Sequence, residues 1–161
     1  MRVLGVDCGS VVTGYGVVAT DGRRHQALDA GIIRLAAPEE FAQRLHAIHV
    51  RLTELILLHR PDCVAIEDVF HARNTRTALK LAHVRGVAMQ AAAAQALPVA
   101  EYSPLAIKSA VTGYGRAEKT QVQHMVRVLL GLGAAPAALD ASDALAVALC
   151  HIHTIGPAFC A

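Results

Sequence analysis

The first third of the chain alternates short apolar runs with glycines and acidic residues, which is typical of β-strands joined by tight turns. Apolar runs at residues 2–7, 15–19 and 27–35 predict three strands, the first of them buried. Asp21-Gly22, between the second and third runs, predicts a hairpin turn. The chain is therefore expected to open with three antiparallel strands.

Beyond residue 38 the apolar period lengthens to three or four positions, which indicates an amphipathic helix. Pro38-Glu39-Glu40 supplies the proline and acids that a helix N-terminus favours, and Pro61 ends the helix. The apolar face of this helix is regular and consists of Phe41, Leu45, Ile48, Leu52, Leu55 and Ile56.

The remaining pattern predicts a short buried strand, a long helix, a last strand and three more helices. They fall at residues 63–66, 74–96, 99–102, 104–111, 118–130 and 139–153. This order of elements is mixed α/β. A length of 161 residues fits one domain, predicted at 1–154, with 155–161 as a flexible C-terminal tail.

Composition and charge bear on three questions: a nucleic-acid partner, the redox state of the cysteines and a membrane location. Charged residues make up 17% of the chain and the net charge is +2, so a nucleic-acid partner would need a local basic patch. The four cysteines form no CxxC pair, which favours reduced thiols in a cytoplasmic protein. The first residues run into a strand rather than a signal peptide, and no apolar run is long enough to span a membrane.

Four acidic residues stand where burial makes a charge costly. Asp7 and Glu67 each follow a short apolar run, and Asp140 and Asp143 lie in a long apolar stretch. Each alone has an ordinary explanation, such as a helix cap at Asp140. Because no capping role covers all four, they predict one shared acidic pocket, whose simplest occupant is a pair of divalent cations.

The surroundings of Asp7 leave two chemistries open. A strand, an Asp-x-Gly turn, Gly14 and a second strand form a hairpin with a carboxylate at its mouth. Metal-dependent nucleases use such a hairpin, and so do actin-like ATPases, which hold a phosphate there. Asp140 and Asp143 are three residues apart on a predicted helix and share one face, where two like charges are destabilising unless a cation lies between them.

Basic residues at steps of three, four and three form a stripe on the long helix, namely Arg73, Arg76, Lys80 and His83. A solvated helix face explains this stripe as well as a nucleic-acid contact does. Phe70 stands between Glu67 and the stripe, where its ring either stacks on a base or caps the core.

The segment at 113–120 looks like a phosphate-binding loop, but Glu118 stands where that motif needs a glycine. It is predicted instead as a flexible basic loop that leads into a helix. Lys108, Arg116 and Lys119 are expected to face a phosphate backbone.

Seven motifs, spread nearly end to end along the chain, resemble those of the RuvC Holliday-junction resolvases. They are GVDCGS at 5–10, TGYG at 13–16, AIEDVF at 65–70, ALKL at 78–81, RGVA at 85–88, AEKTQVQHMV at 117–126 and DASDALA at 140–146. The motif at 117–126 is highly specific when it accompanies the Asp, the Glu and the Asp-x-x-Asp of the others.

The resemblance implies a ribonuclease-H-like fold, with a mixed five-stranded sheet flanked by helices. It also implies a homodimer that resolves four-way DNA junctions by paired nicks during recombination and repair, beside a branch-migration motor of the RuvA and RuvB type. The family's functional residues fall on the following positions: carboxylates on Asp7, Glu67, Asp140 and Asp143, lysines on Lys108 and Lys119, and a junction-probing aromatic on Phe70. Asp68 departs from the family, because an uncharged residue is common there, and it is a candidate to change the metal preference.

The expected chemistry is phosphodiester hydrolysis assisted by two divalent cations, Mg²⁺ or Mn²⁺. Asp7 is expected to bridge both cations, Glu67 and Asp143 to hold one each, and Asp140 to complete a shell or orient water. Lys119 is expected to offset charge on the scissile phosphate.

Two other functions compete with the nuclease. An actin-like ATPase needs a second Asp-x-Gly hairpin, which this sequence lacks. A junction-binding module that does not cleave is disfavoured by the complete set of carboxylates. For the homodimer, the small residues of the long helix are predicted at the interface, namely Gly86, Ala88, Ala91, Ala92 and Ala93.

Overall fold

The computed structural model describes residues 1–9, 11–34, 40–68, 74–134, 136 and 138–156. The strands are β1 (Arg2–Asp7), β2 (Val12–Thr20), β3 (His25–Arg34), β4 (Cys63–Glu67) and β5 (Val99–Tyr102). The helices are α1 (Phe41–His59), α2 (Thr75–Ala94), α3 (Pro104–Thr112), α4 (Lys119–Leu129) and α5 (Leu139–Ile155). None of the helices in the described ranges is long and apolar enough to cross a membrane.

The strands form one sheet in the order β3-β2-β1-β4-β5. β1, β2 and β3 are antiparallel, whereas β4 and β5 run parallel to β1. α1 and α2 cover one face of the sheet, and α3, α4 and α5 cover the other. The central strand β1 is therefore buried on both faces, and the parallel strands β1 and β4 end side by side.

Helix α5 packs unusually close to β1 and β2. A Cβ atom at Gly5 would overlap the carbonyl oxygen of Ala144, and one at Gly14 would overlap that of Asp140. Only glycine allows the backbones to approach this closely. Since Gly14 is also the register partner of Asp7, this contact fixes the first turn of α5 beside the end of β1.

The predicted order of strands and helices is confirmed, with shifts at the ends of elements. β2 and β3 are longer than their apolar runs, because their backbones continue to pair as far as Thr20 and His25. α5 continues to Ile155, so this residue belongs to the helix and not to the predicted tail. The predicted proline start of α1 at residue 38 and the tail residues 157–161 lie outside the described residues.

The interface predicted for the small residues of α2 is wrong for three of them. Ala88, Ala91 and Ala92 are buried beneath the chain's own sheet, packed with residues of β1, β4 and α1. Gly86 and Ala93 are exposed. The small residues therefore serve close packing of α2 within the protomer, which a hydrophobic pattern does not distinguish from packing between protomers.

Candidate active site

The four acidic residues that the sequence singled out line one cavity of about 360 Å³. Lys108 and Lys119 line it as well. The other lining residues are mostly apolar, and they are Pro104, Ile107, Val122, Ala146 and Val147. The cavity is therefore lined by carboxylates, ammonium groups and apolar side chains.

Strand geometry brings Asp7 and Glu67 together. Asp7 ends β1 and Glu67 ends β4, and their preceding residues Val6 and Ile66 are register partners in the parallel pair. Successive side chains of a strand point to opposite faces of a sheet. Val6 and Ile66 pack toward α1 and α2, so both carboxylates point to the face that α5 covers.

Helix geometry supplies the other two carboxylates. Asp140 and Asp143 lie in the first two turns of α5, one above the other on the face toward the cavity. Because Gly14 lets the backbone at Asp140 touch β2, the two carboxylates of α5 are held at a fixed height above Asp7. Three distant segments of the chain therefore meet at one point, as the sequence predicted.

The electrostatics of the cavity favour uptake of a positive charge. Burial, with the nearby charges of Glu67, Asp143 and Asp140, raises the pKa of Asp7 from its ordinary 3.8 to about 8. Burial also raises the pKa of Glu67, although the hydrogen bond from Asp7 and the charges of the two lysines oppose that shift. The hydrogen bond between the two carboxyl groups raises the pKa of Asp7 and lowers that of Glu67, which makes Asp7 the donor of the pair.

Lys119 partly neutralises the cavity. Its Nζ lies 2.5 Å from Oδ2 of Asp143, and 56% of its side chain is exposed. Burial lowers the pKa of Lys119, but the hydrogen bond and charge of Asp143, with the charges of Asp7 and Asp140, raise it overall. The ammonium group thus offsets the charge of Asp143, a carboxylate that could also help to hold a metal cation.

The donor set fits a hard divalent cation. Carboxylate oxygens are the ligands that Mg²⁺ and Mn²⁺ prefer. In the described part of the chain no three His, Cys, Asp or Glu side chains are already arranged around one point as a complete coordination shell.

The structure brings together only part of the predicted nucleic-acid surface. Arg76 and Arg116 are exposed, but neither lines the cavity. Lys80 turns toward α1, where its Nζ lies 5.6 Å from the centre of the Phe41 ring. Phe70 and Arg73 lie outside the described residues. The basic stripe therefore does not continue unbroken along α2.

The loop before α4 is more ordered than predicted. The Thr112 hydroxyl donates to the carbonyl oxygen of Lys108 at 2.8 Å, lies 3.0 Å from the carbonyl oxygen of Tyr114 as an alternative acceptor, and accepts from the backbone N–H of Tyr114. The N–H of Ala117 donates to the carbonyl oxygen of Tyr114 at 3.1 Å. These bonds form a tight turn that sets the start of α4, and with it Lys119, at the mouth of the cavity.

Sequence reasoning missed a second charged cluster, formed by Asp68, Arg85 and Glu101. It lies on the side of the sheet that α2 covers, and Asp68 does not line the acidic cavity. The hypothesis that Asp68 changes the metal preference therefore finds no support in a contact of Asp68 with the cavity. The sequence did offer one signal, which is Glu101. It is the one charged residue in the short strand β5.

The mixed sheet, with carboxylates gathered at the ends of its central parallel strands, defines the class of ribonuclease-H-like nucleases. The family model for the crossover junction endodeoxyribonuclease RuvC matches residues 3–151. The chain belongs to the RuvC family.

Relatives that carry the name crossover junction endodeoxyribonuclease RuvC align with nearly all of the chain. The crossover junction endodeoxyribonuclease RuvC of Koribacter versatilis is 54% identical over 155 residues, covering 96% of this chain and 93% of the relative. That of Shewanella frigidimarina is 55% identical over 152 residues, covering 94% and 87%.

Solved structures agree with the fold. Thermus thermophilus RuvC in complex with a Holliday junction substrate is 36% identical, with a TM-score of 0.92 and coverage of 96% of this chain and 94% of that one. Another structure of T. thermophilus RuvC gives a TM-score of 0.89 at 35% identity, covering 96% and 95%. The yeast mitochondrial Holliday junction resolvase Ydc2 is only 14% identical and supports the fold alone, with a TM-score of 0.67 and coverage of 98% and 82%.

Proposed function

We propose that this protein is an endonuclease that resolves Holliday junctions by hydrolysing DNA phosphodiester bonds. The observation that carries the proposal is the convergence of Asp7, Glu67, Asp140 and Asp143 with two lysines in one cavity. Family membership and the junction complex of a relative with the same fold support four-way junction DNA as the substrate.

RuvC nucleases depend on divalent metal ions, and we infer two cations per site, Mg²⁺ or Mn²⁺. Two bound cations supply an activated water and charge stabilisation for the leaving oxygen. Asp7, Glu67 and Asp143 would hold the cations, and Asp7 would be shared because it neighbours the carboxylates of both β4 and α5. Asp140 would complete a shell or orient water.

The lysines act on the phosphate. Lys119 stands at the cavity mouth on the first turn of α4, and Lys108 stands on α3. Lys119 would offset negative charge on the scissile phosphate, and its ion pair with Asp143 holds the ammonium beside the carboxylates that would bind the cations. Lys119 would thus serve two partners, the Asp143 carboxylate and the DNA phosphate.

The wider DNA surface is inferred from charge and position. Arg76 at the start of α2 and Arg116 in the turn before α4 are exposed and suited to phosphate contact. Lys80 contributes its charge from above the Phe41 ring. Phe70, from the family resemblance, and Arg73, from the basic stripe in the sequence, complete the proposed surface.

We also propose a two-fold symmetric homodimer, since a four-way junction offers two equivalent strands. A groove of about 540 Å³ between α1 and α2 supports it, because its lining is largely apolar and a Cβ at Gly86 would meet open space. The groove is lined by Leu45, His46, His49, Ala82, His83, Gly86, Val87 and Gln90. A motor of the RuvA and RuvB type and a cytoplasmic location, where DNA and reduced thiols coexist, complete the proposal.

Cleavage of a synthetic four-way junction tests the function. The protein should nick two opposite strands with Mg²⁺ and none with chelator, and Glu67→Gln and Asp143→Asn should bind the junction without cutting it. The matched control is Glu54→Gln, which removes a carboxylate from the exposed face of α1 and should cut normally. Binding without cleavage by the unaltered protein under all metal conditions would leave only a junction-binding module.

A further inference from the structure

Arg85 ties two strands and a helix together directly behind the acidic cavity. It lies on α2, and its Nη2 contacts Oδ1 of Asp68 at 3.3 Å. The same nitrogen forms a closer ion pair with Oε2 of Glu101 on β5. One guanidinium therefore holds one carboxylate just beyond β4 and another on β5.

The register of the sheet places both contacts beside Glu67. Glu101 is the partner of Ile66 in the parallel pair of β4 and β5, and Ile66 precedes Glu67. Asp68 follows Glu67, and its backbone N–H donates to the carbonyl oxygen of Tyr102 at 2.8 Å. Arg85 thus contacts the residue that follows Glu67 and the strand partner of the residue that precedes it.

The alternation of the strand puts the two clusters on opposite faces. Ile66 packs toward α1 and α2, so Glu101 beside it faces the same way, while Glu67 points into the cavity. Arg85 acts from the far side of the sheet, where it does not touch the proposed metal ligands. Its influence on the site passes through the backbone at the end of β4.

Burial and charge make this contact more than an ordinary surface ion pair. Only 23% of the Arg85 side chain is exposed. Its Nε is buried and has no hydrogen-bond partner among the described residues, so the side chain is held through its ion pairs. Without the guanidinium, Asp68 and Glu101 would repel each other next to a cavity that already contains four carboxylates.

We propose that Arg85 is a positioning residue, which clamps the end of β4 through Asp68 and Glu101 so that the Glu67 carboxylate points into the cavity. This inference rests on the proposed metal-dependent function. It gives Asp68 a role through Arg85 in place of a role as a metal ligand. Nη2 suits this role, because it carries two N–H groups in the plane of the guanidinium and each can be directed at one of the two carboxylates.

The test compares Arg85→Gln with the unaltered protein. Residues that orient metal ligands from outside the shell typically affect metal affinity or activity by about 10–100-fold. We expect Mn²⁺ binding, measured by calorimetry without DNA, to weaken by about tenfold or more. Single-turnover junction cleavage at fixed Mg²⁺ should fall in parallel, while the Kd for the junction in chelator stays within about twofold.

The matched control is Arg51→Gln, which breaks the exposed pair between Arg51 and Glu54 on α1. It should leave metal binding and cleavage unchanged. If Arg85→Gln lowers only the melting temperature, with normal Mn²⁺ affinity and normal cleavage per folded molecule, the residue is purely structural and the proposal fails.

Asp68→Asn keeps the pair between Arg85 and Glu101, and it tests the clamp on its own if Arg85→Gln does not fold, since normal Mn²⁺ binding and normal cleavage by Asp68→Asn would then overturn the proposal. It should weaken Mn²⁺ binding in the presence of Arg85 and add nothing to Arg85→Gln, since coupled residues are not additive. Equal loss with and without Arg85 would make Asp68 a direct ligand and overturn the clamp. If the unaltered protein binds Mn²⁺ but never cleaves, the proposed function fails while the calorimetric comparison still tests the clamp.

Discussion

Replacing Asp7 by asparagine should stabilise the protein in the absence of metal. Asp7 is buried among carboxylates that raise its pKa, so ionising it in the folded state is costly. The Asp7→Asn substitution keeps the size of the side chain and removes its titration. The same substitution should abolish cleavage, because the carboxylate placed to bridge the cations is gone.

The direction of the pH dependence follows from the raised pKa. A carboxyl with a folded pKa of about 8 and an ordinary value of 3.8 stabilises the folded state fully below pH 3.8. That contribution is lost progressively as the pH rises from 3.8 to about 8. The unaltered protein should therefore lose stability relative to Asp7→Asn across this window.

The size of the effect can be worked from the same shift. Each pKa unit corresponds to about 1.4 kcal/mol, so the contribution lost by pH 7 is about 4 kcal/mol. Because the proton is shared with Glu67 and the amide introduced by Asp7→Asn must itself be buried, we expect about 3 kcal/mol in favour of the variant. For a domain of this size that is roughly 6–12 °C in melting temperature.

The assay is thermal or urea unfolding in chelator, at half-unit steps from about pH 5 to about pH 8.5, on both proteins. Taking the difference between them cancels the histidines, whose titration the two proteins share. Saturating Mg²⁺ should stabilise the unaltered protein and reverse the ranking. A variant that is less stable than the unaltered protein in chelator at the alkaline end, or a difference that does not grow with pH, would refute the assignment of a protonated Asp7.

Two further substitutions test other parts of the site. Lys119→Gln should lower single-turnover cleavage by about 10²–10³-fold. The rise in melting temperature on adding Mg²⁺ should be larger in this variant than in the unaltered protein, because no ammonium has to leave Asp143. An equal rise in both proteins would show that Lys119 does not compete with the cation. Gly14→Ala should cost about 1–3 kcal/mol and reduce metal-dependent cleavage, because the new Cβ would push the start of α5 away from β2. Gly133→Ala, where a Cβ meets open space, is its control, and equal melting temperatures for the two variants would refute the close-packing explanation.

The sequence is sufficient for features that depend on local pattern. Apolar runs and the helical period locate the strands and helices, and β5 is bounded correctly at residues 99–102 because proline and polar residues flank it. The four carboxylates stand out because a charge at the end of a buried strand or on an apolar helix is costly wherever the fold places it.

Features that depend on distant contacts are not accessible in this way. The ion pair of Lys119 with Asp143 and the contacts of Arg85 join residues far apart in sequence. A periodic pattern also cannot say what a small residue packs against, which is why Ala88 and Ala91 are predicted at a protein interface and are found beneath the sheet. Side-chain direction on α2 is likewise set by a neighbour, since Lys80 turns to the Phe41 ring on α1.

The glycines beneath α5 limit how the protein can be engineered for heat resistance. Exchanging glycine for alanine commonly stabilises a protein by restricting the unfolded chain, by about 0.4–1 kcal/mol where the fold tolerates it. At Gly5, Gly14 and Gly16 the added methyl group would collide with α5, so these substitutions would destabilise the part of the sheet next to the acidic cavity. A designer would gain heat resistance at loop glycines with free space around them, such as Gly133, and would leave the glycines under the helix unchanged.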